Sequence, residues 1–505
     1  MNQIAQTVAP ASSRTRIAES PITILATFVF LWTLYQIVAH GAGDVHIDMA
    51  EAYAWSLELQ AGYYKHPPFW AWVTRAWFLV FPVGDWSAYL FSAVNAATGI
   101  FFVSRSAAFF LDDRHLQWSA ALLLIFIPAY TFHGMKINAN TIHLSIWPAA
   151  TWAFLSLMHR PVAAKAFVLG LLGSCALLSK YNAVLFLACL FVASVVHPAS
   201  GFFWRTRMPL FVGLGASPLV IFHGLWLWQN DFLPFHYFST LRNQSLEVAL
   251  SGGIKFIAAE VLFALPAILI LLYAAYPPRL RRMRLATGSL DLVLVVLALG
   301  PLLTSAATCT ALQTRCPALW GLQNLYFIPV LALRCLIVAD AQALYRRIFR
   351  IILVFLGSAV LASPFVAWSG FRSADRASVD PRSEVAKKLT QWWNETYHRP
   401  LKIVGGDANY ALAASFYSPD HPSYFISFNR RLTPWITDER LAREGALLIC
   451  NERDEVCETE AHNALADRGE EKTISAIKNL LGQLGHNKDF SFFVIPPARA
   501  LDATR

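Results

Sequence analysis

The sequence predicts a polytopic α-helical membrane protein with a small α/β domain at its C-terminal end. Three observations carry this. Hydrophobic residues make up 56% of the 505 and charged residues 14%, where a soluble chain carries about 25% charged residues. Apolar runs of roughly 18–22 residues recur, each long enough to cross a bilayer. Beyond Gly370 these runs stop, and short segments such as "LKIVGGDANYALAASFYS", "GALLICNE" and "FSFFVIPP" read as strands or strand-to-helix transitions.

Eleven spans are predicted, at about 22–40, 86–110, 116–132, 141–157, 163–179, 183–197, 209–228, 254–275, 290–307, 318–338 and 350–370. Arg14 and Arg16 precede the first and Arg205 and Arg207 the seventh. Arg279, Arg281, Arg282 and Arg284 follow the eighth, and Arg346, Arg347 and Arg350 precede the eleventh. The positive-inside rule makes those loops cytoplasmic. The net charge of +9 is then topological, and nucleic-acid binding is not expected. An odd number of spans puts the tail on the external side. The expected division is a transmembrane domain, 1–370, with a first external loop at 41–85, and an external C-terminal domain, 371–505. The first apolar run is longer than a signal-peptide core and has no convincing small-residue cleavage site after it, so it is read as a retained span.

Cys175, Cys189 and Cys335 fall inside spans as apolar filler. Cys309/Cys316 and Cys450/Cys457 form two pairs on the side read as external, either as local disulfides or as four separate thiols. Neither pair has the Cys-x-x-Cys spacing of a zinc site.

The first external loop concentrates the chemistry. It reads "HIDMAEAYAWSLELQAGYYKHPPFW" from His46 to Trp70, with Trp55, Trp70, Trp72 and Trp77 suited to a membrane interface. At helical spacing Asp48, Glu51, Trp55 and Glu58 share one face, and Met49, Tyr53 and Leu57 the other. The expectation is an interfacial helix with its apolar side toward lipid. Asp48 and Glu51, three residues apart, can reach one site. Such a pair holds a divalent cation or supplies a general base; a plain solvated acidic face is the alternative. Pro67-Pro68 then fix a turn that presents Lys65 and His66, cations suited to a phosphate or to anionic lipid headgroups.

These residues resemble the first external loop of the glycosyltransferase family 39, or protein-O-mannosyltransferase-like, group of the GT-C superfamily. Within it they look most like the bacterial lipopolysaccharide-modifying transferases, including aminoarabinose and rhizobial galacturonic acid transferases. The resemblance covers about 20–370 and is strongest over 46–72. It implies a polytopic enzyme with a polyprenyl-phosphate sugar donor and a catalytic Asp, here Asp48. The family's next residue is usually Glu; here it is Met49, with Glu51 one turn on as its possible substitute. His66 matches a His-Pro-Pro variant of the motif. "GMKINANTIHLSIWPAATWAF" resembles the segment before the family's fourth span, where an Asp often stands at the place of Asn140; Asn140 and Asn138 are restricted to hydrogen bonding. "LLSKYNAV" places Lys180 near the donor phosphate, and "GLQNLYFIPVLAL" places Tyr326 and Pro329. Arg242 and Arg315 are further candidates for phosphate or acidic-sugar contact.

The implied function is an inverting glycosyltransferase that moves a sugar to a lipid or cell-envelope glycan acceptor. It would act as a monomer on the periplasmic side of the bacterial inner membrane. A polyprenyl-linked sugar flippase and a non-catalytic envelope assembly protein are the alternatives. A flippase predicts ionisable groups near mid-span, whereas here they gather at external loop ends.

Overall fold

The computed structural model describes residues 20–498 except 42, 241–243, 374–379, 452–453, 466–469 and 481. Helix α1 (Pro21–Ala39) starts with a proline in its first turn, where the missing N–H costs no hydrogen bond. Two shorter helices follow, α2 (Ile47–Leu57) and α3 (Phe69–Val80). The bundle continues with α4 (Asp85–Ala107), α5 (Arg114–Leu122), α6 (His143–His159), α7 (Ala163–Leu177), α8 (Ala183–Val196), α9 (Ser200–Arg205), α10 (Met208–Gln229), α11 (Leu233–Ser239) and α12 (Leu246–Ala274). After β1 (Arg279–Leu280) come α13 (Leu290–Ala311), α14 (Ile328–Arg334), β2 (Leu336–Ile337) and α15 (Ala341–Arg372).

Among the described residues six helices, α1, α4, α10, α12, α13 and α15, are long and apolar enough to cross a membrane. A seventh span is formed if Arg114–Phe126 and Pro128–Met135, bent by 80°, count as one. The chain is thus a multi-pass membrane protein by length and composition. Two of the eleven expected spans are not continuous helices. The one at 116–132 breaks at Pro128, which cannot donate to the preceding turn. The one at 318–338 is a pair of 3₁₀ turns around Gly321, then the seven-residue α14 starting beside Pro329, then β2. Apolar composition marked that segment as a span, but its glycine and proline interrupt the hydrogen-bond ladder. Elsewhere small residues let helices meet closely: a Cβ on Gly170 of α7 would lie 2.0 Å from the Val212 carbonyl oxygen of α10, and one on Gly215 2.1 Å from that of Phe167.

The C-terminal part comprises α16 (Arg382–Tyr397), β3 (Ile403–Gly406), α17 (Ala408–Tyr417), β4 (Ser423–Phe425), α18 (Asp438–Glu444), β5 (Ala446–Asn451), α19 (Glu455–Leu465), β6 (Glu470–Leu480) and β7 (Gln483–Ile495). Its sheet runs β4-β3-β5-β7-β6. The first three strands are parallel, as the intervening helices require, and β7 and β6 form an antiparallel hairpin. Cys450 and Cys457 are disulfide-bonded, whereas Cys309 and Cys316 remain thiols in mutual contact.

The apolar face of α2 does not meet lipid. Met49 and Tyr53 are each 3% exposed, and Trp55 of the other face is 1% exposed. They share one hydrophobic core with Leu389, Trp393, Tyr410 and Phe416 of α16 and α17. The Tyr53 ring packs edge-on against Phe416 and His421, with centroids 5.4 and 5.3 Å away. The periodicity of α2 separated the two faces, but the partner of the apolar one is contributed by a segment hundreds of residues distant.

Candidate active site

Helix α2 begins where the His46 ring nitrogen Nδ1 accepts a hydrogen bond from the Asp48 amide, a side-chain cap at 3.1 Å. Asp48 therefore stands in the first turn, with its side chain toward the segment that precedes α6. There Asn138 Nδ2 donates to Asp48 Oδ2 at 2.7 Å, and Lys136 Nζ lies 3.1 Å from the same oxygen. The orientation of Asn138 is dictated locally. Its Oδ1 accepts from the amides of Asn140 and Thr141, both at 2.9 Å, so its NH₂ group must face Asp48. Thr141 Oγ1 donates to the Lys136 carbonyl at 2.6 Å and closes the turn.

Burial acts to raise the Asp48 pKa, but His46, Lys136 and the Asn138 hydrogen bond outweigh it and hold the carboxyl below its usual range. Burial lowers His46 itself to about 4. His46 is thus neutral near pH 7, and Lys136 is the standing charge beside Asp48. Asp48 Oδ1 accepts no hydrogen bond from any described residue, and the side chain is 32% exposed. Asp48 is an ionised carboxylate with Oδ2 anchored, and Oδ1 lies 3.6 Å from His46 Nδ1 without a hydrogen bond from any described residue.

Around it lie the groups of the Pro67-Pro68 turn and of the α7–α8 turn. The Phe69 amide donates to the Leu178 carbonyl at 2.9 Å, which joins the two turns. Lys180 Nζ donates to Asn140 Oδ1 at 2.6 Å and sits 4.7 Å from the centre of the Trp320 ring. Burial lowers Lys180 to about 8, with Asp48 opposing and Lys65 assisting. A chain of contacts thus runs from Lys180 through Asn140 and Asn138 to Asp48.

Glu51 and Lys65 form their own ion pair at 2.6 Å, with side chains 15% and 20% exposed. The Glu51 carboxylate outweighs burial and keeps Lys65 charged, its pKa above the usual range. Burial, with Lys180 and Lys65 nearby, drives His66 well below its usual value. His66 therefore offers an N–H rather than the positive charge expected of it. Glu58, expected on the acidic face, turns instead to Arg440 of α18 at 2.7 Å.

The structure brings together Asp48, Glu51, Lys65, His66, Asn140 and Lys180. It does not bring Tyr326 to them: that residue is fully buried, and its hydroxyl pairs with Thr151 Oγ1 at 2.8 Å inside the bundle. Arg315 is exposed, and no described hydrogen bond or ion pair links it to Asp48. Arg242 lies outside the described residues. Lys136, the cation closest to Asp48, went unassigned in the sequence. Its signal was its place two residues before Asn138.

The donor set around Asp48 and Glu51 does not fit a divalent cation. Asp48 Oδ2 faces an ammonium and an amide NH₂, and Glu51 faces a second ammonium. Among the described residues no group of three His, Cys, Asp or Glu side chains is placed to hold a metal. The expected Asp48–Glu51 metal pair is at odds with that donor chemistry.

Residues 65–228 match the family model described as dolichyl-phosphate-mannose-protein mannosyltransferase. The matched segment includes Lys65, His66, Lys136, Asn138, Asn140 and Lys180, and Asp48 and Glu51 lie before it. The chain is also 25% identical over 236 residues to the lipid A galacturonosyltransferase RgtD of Rhizobium johnstonii, over 45% of this chain and 49% of that protein. It spans about half the length of that curated relative. Two solved structures are similar to it. ArnT from Cupriavidus metallidurans in the apo state has a TM-score of 0.48 at 14% identity, over 95% of this chain and 98% of that one. The Archaeoglobus fulgidus oligosaccharyltransferase tethered with an acceptor peptide has a TM-score of 0.42 at 11% identity, over 92% of this chain and 73% of that one.

Proposed function

We propose that this protein is an inverting glycosyltransferase that moves a sugar from a polyprenyl-phosphate donor to a hydroxyl of a lipid or envelope glycan. Asp48 is the base. The observation that carries the reading is the state of that carboxylate: ionised, anchored through Oδ2 by Asn138 and Lys136, with a side chain 32% exposed and no described hydrogen bond to Oδ1. The match to the mannosyltransferase family model and the name of the lipid A galacturonosyltransferase relative support the donor and acceptor classes.

In the reaction the acceptor oxygen attacks the anomeric carbon as Asp48 Oδ1 takes its proton. The bond from that carbon to the phosphate oxygen breaks, and polyprenyl phosphate leaves with the electron pair. One displacement inverts the anomeric configuration. Lys180, buried and charged below about pH 8, faces the growing phosphate charge, and a preorganised cation in a water-poor site is well suited to that task. Lys65 is held by Glu51 and fixes the turn. His66 donates an N–H. The site opens on the periplasmic side of the inner membrane in this reading, and the lipid tails of donor and acceptor lie among the helices.

The test is transfer in proteoliposomes to lipid A, from a panel of polyprenyl-phosphate donors carrying galacturonic acid, hexoses and pentoses. Wild type is expected to accept a donor and invert its anomeric centre, and Asp48→Asn to lose about 1,000-fold in kcat, within the roughly 10²–10⁴-fold range of general-base effects. Full activity of Asp48→Asn removes the base assignment. No transfer by wild type from any donor removes the enzyme reading.

A further inference from the structure

We propose that Arg440, Ser423 and Lys478, all in the C-terminal part, are positioning residues for Asp48 and act through the two ends of α2. The proposal rests on the reading of Asp48 as the base.

Helix α2 has eleven residues, about three turns. Helices that short do not hold their own geometry in isolation, so its axis is set by what grips it. At its C-terminal end Glu58 is the capping residue. Glu58 Oε1 receives Arg440 Nη1 at 2.7 Å and also the Ser423 hydroxyl. Arg440 Nη2 in turn donates to Ser423 Oγ at 2.9 Å, and its Nε to Glu444 at 2.9 Å. The fork geometry of the guanidinium thus fixes Glu58 against β4 and α18.

At the other end Asp44 is buried. Lys478 Nζ of β6 binds its Oδ1 at 2.6 Å, and the Ser383 amide donates to its Oδ2 at 3.0 Å. The Tyr417 hydroxyl accepts from the Val45 amide at 2.7 Å. Between these grips Tyr53 is wedged against Phe416 and His421. The opposite side of the same helix presents Asp48 to Asn138 and Lys136, which belong to the bundle. Helix α2 is therefore a spacer with the sheet on one side and the reacting carboxylate on the other. A displacement of the sheet by an ångström carries Asp48 away from its anchors, and misplacement of that size costs about 100-fold in rate. None of the three proposed residues touches the site, so their effect passes through the helix.

The experiment measures kcat and donor KM of full-length enzyme in proteoliposomes, with the donor that wild type accepts, for Arg440→Gln, Arg440→Lys, Ser423→Ala and Asp48→Asn. Rates are expressed per folded enzyme from size-exclusion chromatography. Arg440→Gln is expected to lower kcat at least about tenfold with donor KM within about twofold, the signature of a group that acts on the reacting geometry. Arg440→Lys, which keeps a charge for Glu58 but not the fork that also holds Ser423 and Glu444, is expected to recover only part of the loss. Should Arg440→Gln fail to fold, Ser423→Ala removes one hydroxyl only and is expected to lower kcat two- to fivefold at unchanged KM. Wild-type kcat per folded enzyme in Ser423→Ala, and in Arg440→Gln where it folds, overturns the proposal, because a purely structural clamp changes yield and not turnover. An active Asp48→Asn enzyme overturns the base reading instead, so the two failures are distinguishable.

Discussion

Asn138 is fixed by two backbone amides so that its NH₂ group, and not its carbonyl oxygen, meets Asp48 at 2.7 Å. Asn138→Asp keeps the shape of this turn but sets one carboxylate against another. Like charges at that distance raise a carboxyl pKa. The expected result is a kcat lowered about 10- to 100-fold at pH 7, and an acid limb of kcat/KM displaced upward by about one to two units. The pH–rate profiles of both enzymes check this; an unmoved acid limb contradicts it.

Lys180 predicts the alkaline limb. Its ammonium is lowered by burial to about 8, so it is charged below that pH and loses its proton as pH rises through it. If it stabilises the leaving phosphate, kcat/KM declines above about pH 8. Lys180→Arg keeps a charge to far higher pH and is expected to shift that limb upward by two units or more, with some loss of rate at pH 7. A wild-type rate that is flat to pH 10 contradicts the role.

Glu260 lies in the middle of α12 with no exposed surface, and neither carboxylate oxygen has a hydrogen-bond partner among the described residues. An unpaired carboxylate in a bilayer-spanning helix is costly. Glu260→Met, of similar length and without polar atoms to satisfy, is expected to add about 1–3 kcal/mol. That is read as a rise of several degrees in the thermal midpoint in detergent. A fall in the midpoint refutes this. Gly321→Ala goes the other way, since its Cβ would stand 2.4 Å from Glu260 Oε1, and overpacking costs about 1–3 kcal/mol.

The cysteines separate by chemistry. Cys450 and Cys457 are expected to resist alkylation in the unfolded, unreduced protein and to label only after reduction, whereas Cys309 and Cys316 label without reductant. Peptide mass spectrometry reads both. Loss of the Cys450–Cys457 bond, a short loop closure, is expected to cost about 2–4 kcal/mol.

What the residues disclosed in advance, and what they withheld, follows from the range of each signal. Hydropathy is local and located the six long apolar helices among its eleven expected spans, but it gave no warning that Gly321 and Pro329 break the segment at 318–338. Helical phase is also local. It separated Met49 and Tyr53 from Asp48 and Glu51 but could not say that α17 covers the first pair. Asn138, Asn140 and Lys180 were reached by resemblance, whereas Lys136 was passed over because one lysine in a loop carries no periodicity. The charge of His66 was misjudged because burial, which decides it, is a property of the fold. The Glu58–Arg440 pair joins residues with no signal between them at all.

The shared core of α2 with α16 and α17 also sets a schedule. Tyr53 leaves the ribosome about 360 residues before Phe416, and at roughly 5–20 residues per second the interval is about 20–70 s. Throughout it the helix bearing Asp48 is already at the membrane with its inner face bare and both end grips missing. An incomplete chain therefore holds all of its bundle chemistry but not the seated carboxylate. On the reading of Asp48 as the base, completion of synthesis is the event that seats the reacting carboxylate.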